Sequence, residues 1–151
     1  MVVAGVLEVE QVVKAAYARL AADATLNTTL ALGGRVYRDL APEGVVFPVV
    51  TLAPMSAVDL NTLGGAHVWQ DVQLLVKVTE RFTGVVPNYS AKLIPLAQRM
   101  HLLLDGYTTT VDGVLVVQFR RVSAPPQPPE VQGGVRYVHL NQLFQTEAYP
   151  A

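Results

Sequence analysis

Residues 67–79, HVWQDVQLLVKVT, alternate with a period of two. Val68, Gln70, Val72, Leu74, Val76 and Val78 share one face, apolar except for Gln70. Trp69, Asp71, Gln73, Leu75, Lys77 and Thr79 share the other, mostly polar apart from Trp69 and Leu75. Successive side chains of a strand point to opposite faces, so the pattern predicts a strand lying over a core. Its length is about twice the usual five to six residues, which predicts the central strand of a sheet. Ahead of it the period changes. Val9, Val12, Val13, Ala16 and Leu20 recur at helical spacing, with Glu10, Gln11, Lys14 and Arg19 opposite, predicting a helix over residues 7–22. Glu10 stands four residues before Lys14, the favourable order for a surface ion pair. Asp23 suits an N-cap for a short turn or helix reaching residue 32, ended by Gly33-Gly34.

RVYR at 35–38 reads as a brief extended piece and residues 41–44 as a loop. Pro48 lacks the N–H that a ladder needs, so the next strand starts near Phe47 and runs to about Met55. Residues 56–66 form a polar, glycine-bearing connection to the central strand, long for the tip of an antiparallel hairpin. Gly84 and Pro87-Asn88 punctuate the exit. Leu93, Leu96, Ala97, Met100, Leu103 and Leu104 give a second amphipathic helix, closed by Asp105-Gly106. With Pro95 inside the pattern, that helix either begins near Ile94 or is kinked from a start at Ser90. Asp112-Gly113 turns the chain into the strand VLVVQFRRV, and APPQPPE at 124–130 makes a stiff polyproline-like spacer. After Gly133-Gly134, VRYVHLNQLFQT is the last strand, with 146–151 as a loose tail. The expected fold class is α+β: a single antiparallel sheet (mixed at most), covered by two main helices and built on the long hairpin, in one domain over 1–151.

Charged residues make up 15% and apolar residues 51%, against a typical charged share of about 25%. So little charge implies either a large core or a surface covered by neighbours. Net charge is −1 with Lys and Arg spread evenly, which gives no broad footprint for nucleic acid. The absence of cysteine excludes disulfides and thiolate metal sites. The start, MVVAGVLEVEQ, lacks the basic region of a signal peptide, and no apolar run approaches the roughly 18–20 residues of a membrane span. His67, His101 and His139 sit on different elements with no ligand spacing. Ser56, Ser90 and Ser123 lie outside any GxSxG elbow. Gly33-Gly34, Gly64-Gly65 and Gly133-Gly134 lack a phosphate-loop frame and read as turns. No catalytic, cofactor or metal residue is therefore expected. Arg120 and Arg121 are adjacent in a strand and so point to opposite faces; each is either a solvated arginine or a contact to a partner or phosphate. Trp69 either packs under a helix or anchors a subunit contact, where tryptophan is enriched.

One order of segments stands out: an opening amphipathic helix, GGRVYRDLAPEGVVFPVVTL, a glycine-bearing loop, a long alternating strand, AKLIPLAQRMHLLLDG and a closing GGVRYVHLNQLF. It resembles the tail terminator, or tail-completion, family of long-tailed bacteriophages and gene transfer agents. The likeness runs from about residue 9 to 145, and APPQPPE and Pro95 depart from it. The resemblance implies a non-enzymatic structural protein of the virion, at the tail–neck junction and made in the host bacterial cytoplasm. It further implies a hexameric ring of identical copies that caps the tail tube, ends its elongation and joins the tail to the head–neck connector. Genome DNA would pass through the lumen without sequence-specific binding, and no membrane would be involved. Asp59, Leu60, Asn61 and Leu63 in the hairpin connection, with Trp69, Arg120 and Arg121, are the expected contacts to a neighbouring subunit or the tube. A free strand edge can pair with a neighbour's, and a closed ring then removes the edges. Two alternatives stand beside this one. Another neck or head–tail joining protein of similar fold is the nearer; a small cytosolic enzyme or ligand-binding domain, with Arg121 or His101 in a pocket between sheet and helices, is the other.

Overall fold

In the computed structural model, residues 6–61, 63–64, 67–83 and 90–150 are described. The expected turn signals at Gly65, Gly84 and Pro87-Asn88, and the opening residues 1–5, lie outside them. Helix α1 (Val6–Ala21) buries Val12, Ala15, Ala16 and Leu20 and exposes Lys14, Tyr17, Ala18 and Arg19, the amphipathic division its spacing demands. A single wide helical turn follows at Thr25–Thr29 and buries Leu26. Helix α2 (Ser90–Leu104) runs from Ser90 with Pro95 inside it, and buries Leu93, Leu96, Met100 and Leu104.

The strands are β1 (Val36–Arg38), β2 (Val49–Asn61), β3 (His67–Thr83), β4 (Thr109–Val111), β5 (Val114–Ser123), β6 (Glu130–Gln132) and β7 (Val135–Pro150). They form one seven-stranded sheet in the order β1-β2-β3-β7-β5-β4, with β6 also on β7. Alternation places Val50, Leu52, Val72, Leu74, Val76, Val78, Phe144 and Ala148 on the face beneath both helices, all buried. Each buried Val, Leu or Phe among them contributes about 1.5–3 kcal/mol relative to exposure, so this face is where the fold is held.

The sheet is not flat. Arg38 at the β1 margin pairs with Glu10, and Lys14 pairs at 3.1 Å with Asp112, in the β4–β5 turn at the opposite margin. Both margins thus reach α1, and the sheet curls around it. The four partners are each 40% exposed or more, so the pairs add about 0–1 kcal/mol each and the apolar contacts set the curl.

Three expectations are overturned. The antiparallel sheet under two helices is instead a mixed, curled sheet that dominates the chain. Its β1 runs parallel to β2 in the register Val36↔Val50 to Arg38↔Leu52. The reason is the loop between them, which returns the chain to the starting end before β2 begins. Second, residues 56–61 are not connection but strand: β2 continues past a bulge at Pro54/Ser56 and pairs up to Asn61↔His67. Third, the expected loose end is ordered strand as far as Pro150, because Thr146 and Ala148 continue the buried alternation of Phe144 against β3. The proline run sits where β5 would otherwise extend along β7. The ladder stops at Ser123↔Leu143 and resumes at Glu130↔Tyr137, and in the gap Asn141 Nδ2 donates to Pro125 O and Gln127 Oε1, both at 3.2 Å.

Candidate functional site

The helices pack on the concave face, and no helix among the described residues lies on the convex one. Register fixes its rows, since antiparallel partners share a face. At the hairpin end, Leu60 faces Trp69, and Trp69 lies against Tyr149 with ring centroids 5.7 Å apart; Tyr149 faces Leu115, itself 40% exposed. The next row holds Val58, Asp71 and Glu147, and the one after it Ser56, Gln73, Gln145 and Arg120. An apolar aromatic row therefore borders an acidic one. Tyr149 O–H donates to Glu147 Oε2 at 2.5 Å, and that hydrogen bond, with burial behind it, raises the phenol above its ordinary range. Trp69 Nε1 and Asp71 Oδ1 are buried atoms without a hydrogen-bond partner among the described residues.

The residues expected from sequence divide. Leu60 and Trp69 meet on the convex face, and Asn61 and the fully exposed Leu63 extend from the same end. Of the two readings for Trp69, packing under a helix does not hold, because its face carries no helix and its neighbours are Leu60 and Tyr149. Asp59 turns the other way and accepts a hydrogen bond from Gln70 Nε2 at 2.7 Å on the concave side. The two arginines part as adjacent strand residues must. Arg120 stands opposite Gln145 on the convex face, while Arg121 stands opposite Phe144 and reaches Gln142 Oε1 at 3.4 Å. Gln142 is buried and donates onward to Ala97 O of α2 at 2.8 Å, so Arg121 belongs to a packing network at the rim.

Sequence reasoning missed Glu147 and Tyr149, which lay in the segment expected to be loose. The signal was present: Phe144, Thr146 and Ala148 keep the period of two, so Gln145, Glu147 and Tyr149 had to share the other face. Gly133-Gly134, with φ of 57° and 79°, forms the β6–β7 turn. No group of three or more His, Cys, Asp or Glu placed to hold a metal occurs among the described residues.

The family model for tail completion protein gp17 matches residues 14–124. The chain belongs to that family. A structural role in a phage-type tail comes with membership. Among solved structures, a chain from the virion of a native gene transfer agent particle superposes with a TM-score of 0.66 at 21% identity, covering 89% of this chain and 91% of that one. A second solved chain gives a TM-score of 0.56 at 16% identity, covering 94% of this chain and 98% of that one. At these identities the likeness is one of fold. Comparison with curated protein sequences finds no match.

Proposed function

We propose that this tail-completion protein acts as a tail terminator: identical copies, six on the family resemblance, close into a ring on the end of the tail tube. The ring stops tube growth and joins the tail to the head–neck connector, with the genome passing through its lumen. The whole chain works as one domain, by shape and without catalysis, at the tail–neck junction of a particle assembled in a bacterial host. The single observation that carries the reading is the row Leu60–Trp69–Tyr149–Leu115, continued by the exposed Leu63. Aromatic anchors bordered by polar residues are the composition of a buried contact centre, and this row lies on the uncovered face of the sheet. The gene transfer agent particle that contains a chain of this fold supports the setting.

Asn61, Leu63 and Trp69 are assigned to the neighbour or tube contact, with Leu60 beside them and Arg120 at the far side of the acidic row. Asp59 and Arg121 take part by holding the hairpin and the rim in place. The test is to polymerise tail tubes with and without the purified protein and image their ends. Rings on tube ends and arrested lengthening are expected. Tubes that lengthen unchanged while the protein stays in the supernatant would refute the reading.

A further inference from the structure

Four of the six residues between β5 and β6 are proline, at 125, 126, 128 and 129. Having no N–H, they cannot continue a ladder along β7. Pro126, Pro128 and Pro129 are exposed, while Pro125 and Gln127 turn partly inward. β6 adds three register pairs, Glu130↔Tyr137 to Gln132↔Val135, and all its residues are exposed. So little burial puts residues 124–132 at the low end of local stability. β7 does not depend on them, because Val135, Arg136 and Tyr137 are also paired with Thr83, Phe82 and Arg81 of β3. The Gly133-Gly134 turn, with nothing within 4 Å of where either Cβ would stand, supplies a hinge.

Side chains fasten the segment instead. Asn141 Nδ2 holds Pro125 O and Gln127 Oε1, and Gln127 Nε2 donates to Glu130 Oε1 at 3.2 Å. That same Glu130 oxygen lies 3.3 Å from Nε2 of His139, whose side chain is 8% exposed. The other ring nitrogen, Nδ1, lies 2.8 Å from Thr79 Oγ1 on β3. His139 and Asn141 are two apart on β7 and share its convex face. The contacts therefore run in one chain from β3 through β7 to the proline run. The charges acting on the ring are Lys77 of β3 and Glu130 of β6. Arg81 and Tyr137 stand in the next row of that face and share a cavity with Glu43.

We propose that residues 124–132 form a latch that lifts off β7 as a unit while the rest of the sheet stays folded, with Asn141 and His139 as its catches and acid as its release. The inference does not rest on the ring. With the latch closed, a charged imidazole is buried beside Lys77; together these outweigh the pull of Glu130 and hold the ring below its ordinary range. Lifting the latch takes Glu130 away and returns the ring to water, and the relief of burial is the larger of the two. Closure that lowers the value is complete above about pH 6.5 and weakens as pH falls. At pH 5.5 opening can grow by at most about tenfold.

Native-state hydrogen exchange of the full chain, followed by mass spectrometry, tests the latch. The peptide covering 124–134 should be protected at pH 7.5 yet open far more often than 67–83 of β3. Asn141→Ala and Gln127→Ala cut the same hydrogen bond from the sheet side and the latch side. Each should raise exchange over 124–134 several-fold and leave β3 as it was. From pH 7.5 to 5.5, after correction for intrinsic rates, opening should grow in the native chain and not in His139→Gln. Exchange of 124–134 in step with β3, or no protection there at pH 7.5, overturns the proposal. So does unchanged exchange in Gln127→Ala, or a pH response that His139→Gln retains.

Discussion

Arg99 of α2 holds Asp23 with two parallel hydrogen bonds, Nε to Oδ2 at 2.9 Å and Nη2 to Oδ1 at 2.7 Å. Oδ2 also accepts Leu26 N–H at 2.8 Å, so the carboxylate that caps the turn after α1 also ties that corner to α2. Nearby, Arg19 Nε donates to Leu103 O and its guanidinium lies 4.7 Å from the centre of the Tyr107 ring. The two helices are thus joined at one corner of the concave face by charge-assisted contacts.

The first prediction concerns that corner in acid. The hydrogen bond from Arg99 holds the Asp23 carboxyl below its ordinary range, against burial, which acts the other way; the Leu26 N–H adds to the lowering. A lowered folded-state pKa means the stabilisation is complete above the unfolded value of about 3.9 and is lost as pH falls through the folded value. The melting temperature of the native chain should fall across that window, and Asp23→Asn should start lower at neutral pH and lose less on acidification. Parallel pH profiles for the two proteins would refute the assignment.

A second pH step is expected from His139. Burial chiefly, and the charge of Lys77 next, push the imidazole below its ordinary range, while Glu130 pulls it up. Its Nδ1 lies 2.8 Å from Thr79 Oγ1 and its Nε2 3.3 Å from Glu130. The neutral ring is the form the fold prefers, so stability is full above about pH 6.5 and declines as pH falls toward the folded value. Chemical denaturation from pH 7.5 to 5 should show this decline in the native chain and not in His139→Gln.

The core and the hairpin tip should respond oppositely to substitution. Phe144 is completely buried in the middle of β7. Phe144→Ala should cost about 3–5 kcal/mol by urea unfolding, the transfer term plus the cavity left behind. Leu63 is wholly exposed, so Leu63→Asp should change stability by no more than about 0.5 kcal/mol. If Leu63→Asp proves as damaging as Phe144→Ala, the tip is packed in the free chain.

Assembly supplies the fourth test. Trp69→Ala and Tyr149→Ala each remove half of the convex ring pair. Each should cut binding to tube ends far more than it lowers the melting temperature, and the double variant should add little to either. Tube binding measured by pelleting decides it; intact binding with lowered stability would make the pair a packing feature only.

Much of this fold was legible along the chain. The period-two run at 67–79 gave β3 its position and buried face, and the helical spacing of Val9 to Leu20 gave α1. Local patterning is reliable there because one face of each element has to be apolar wherever it lies. The reading of 56–61 as loop failed because SAVDLN, which mixes Ser56, Asp59 and Asn61 with Val58 and Leu60, becomes strand only when β3 offers its ladder. The reading of a loose tail from 146 failed for the same reason as far as Pro150; Ala151 lies outside the described residues. For the site, Trp69 and the hairpin residues stood out as unusual, but their companion Tyr149 lies eighty positions away and joins them only through the β3–β7 register.

By itself, then, the sequence determined which residues turn inward within each element, the absence of cysteine chemistry, and the order of segments that marks the family. The tertiary structure alone decided that β1 runs parallel to β2 and that the sheet curls until both margins touch α1. The division has a physical reason. Inward and outward faces follow from the repeat of a single element, whereas direction, register and edge protection are settled by hydrogen bonds between residues far apart in the chain, where many pairings satisfy the same local pattern and only the packed core selects one.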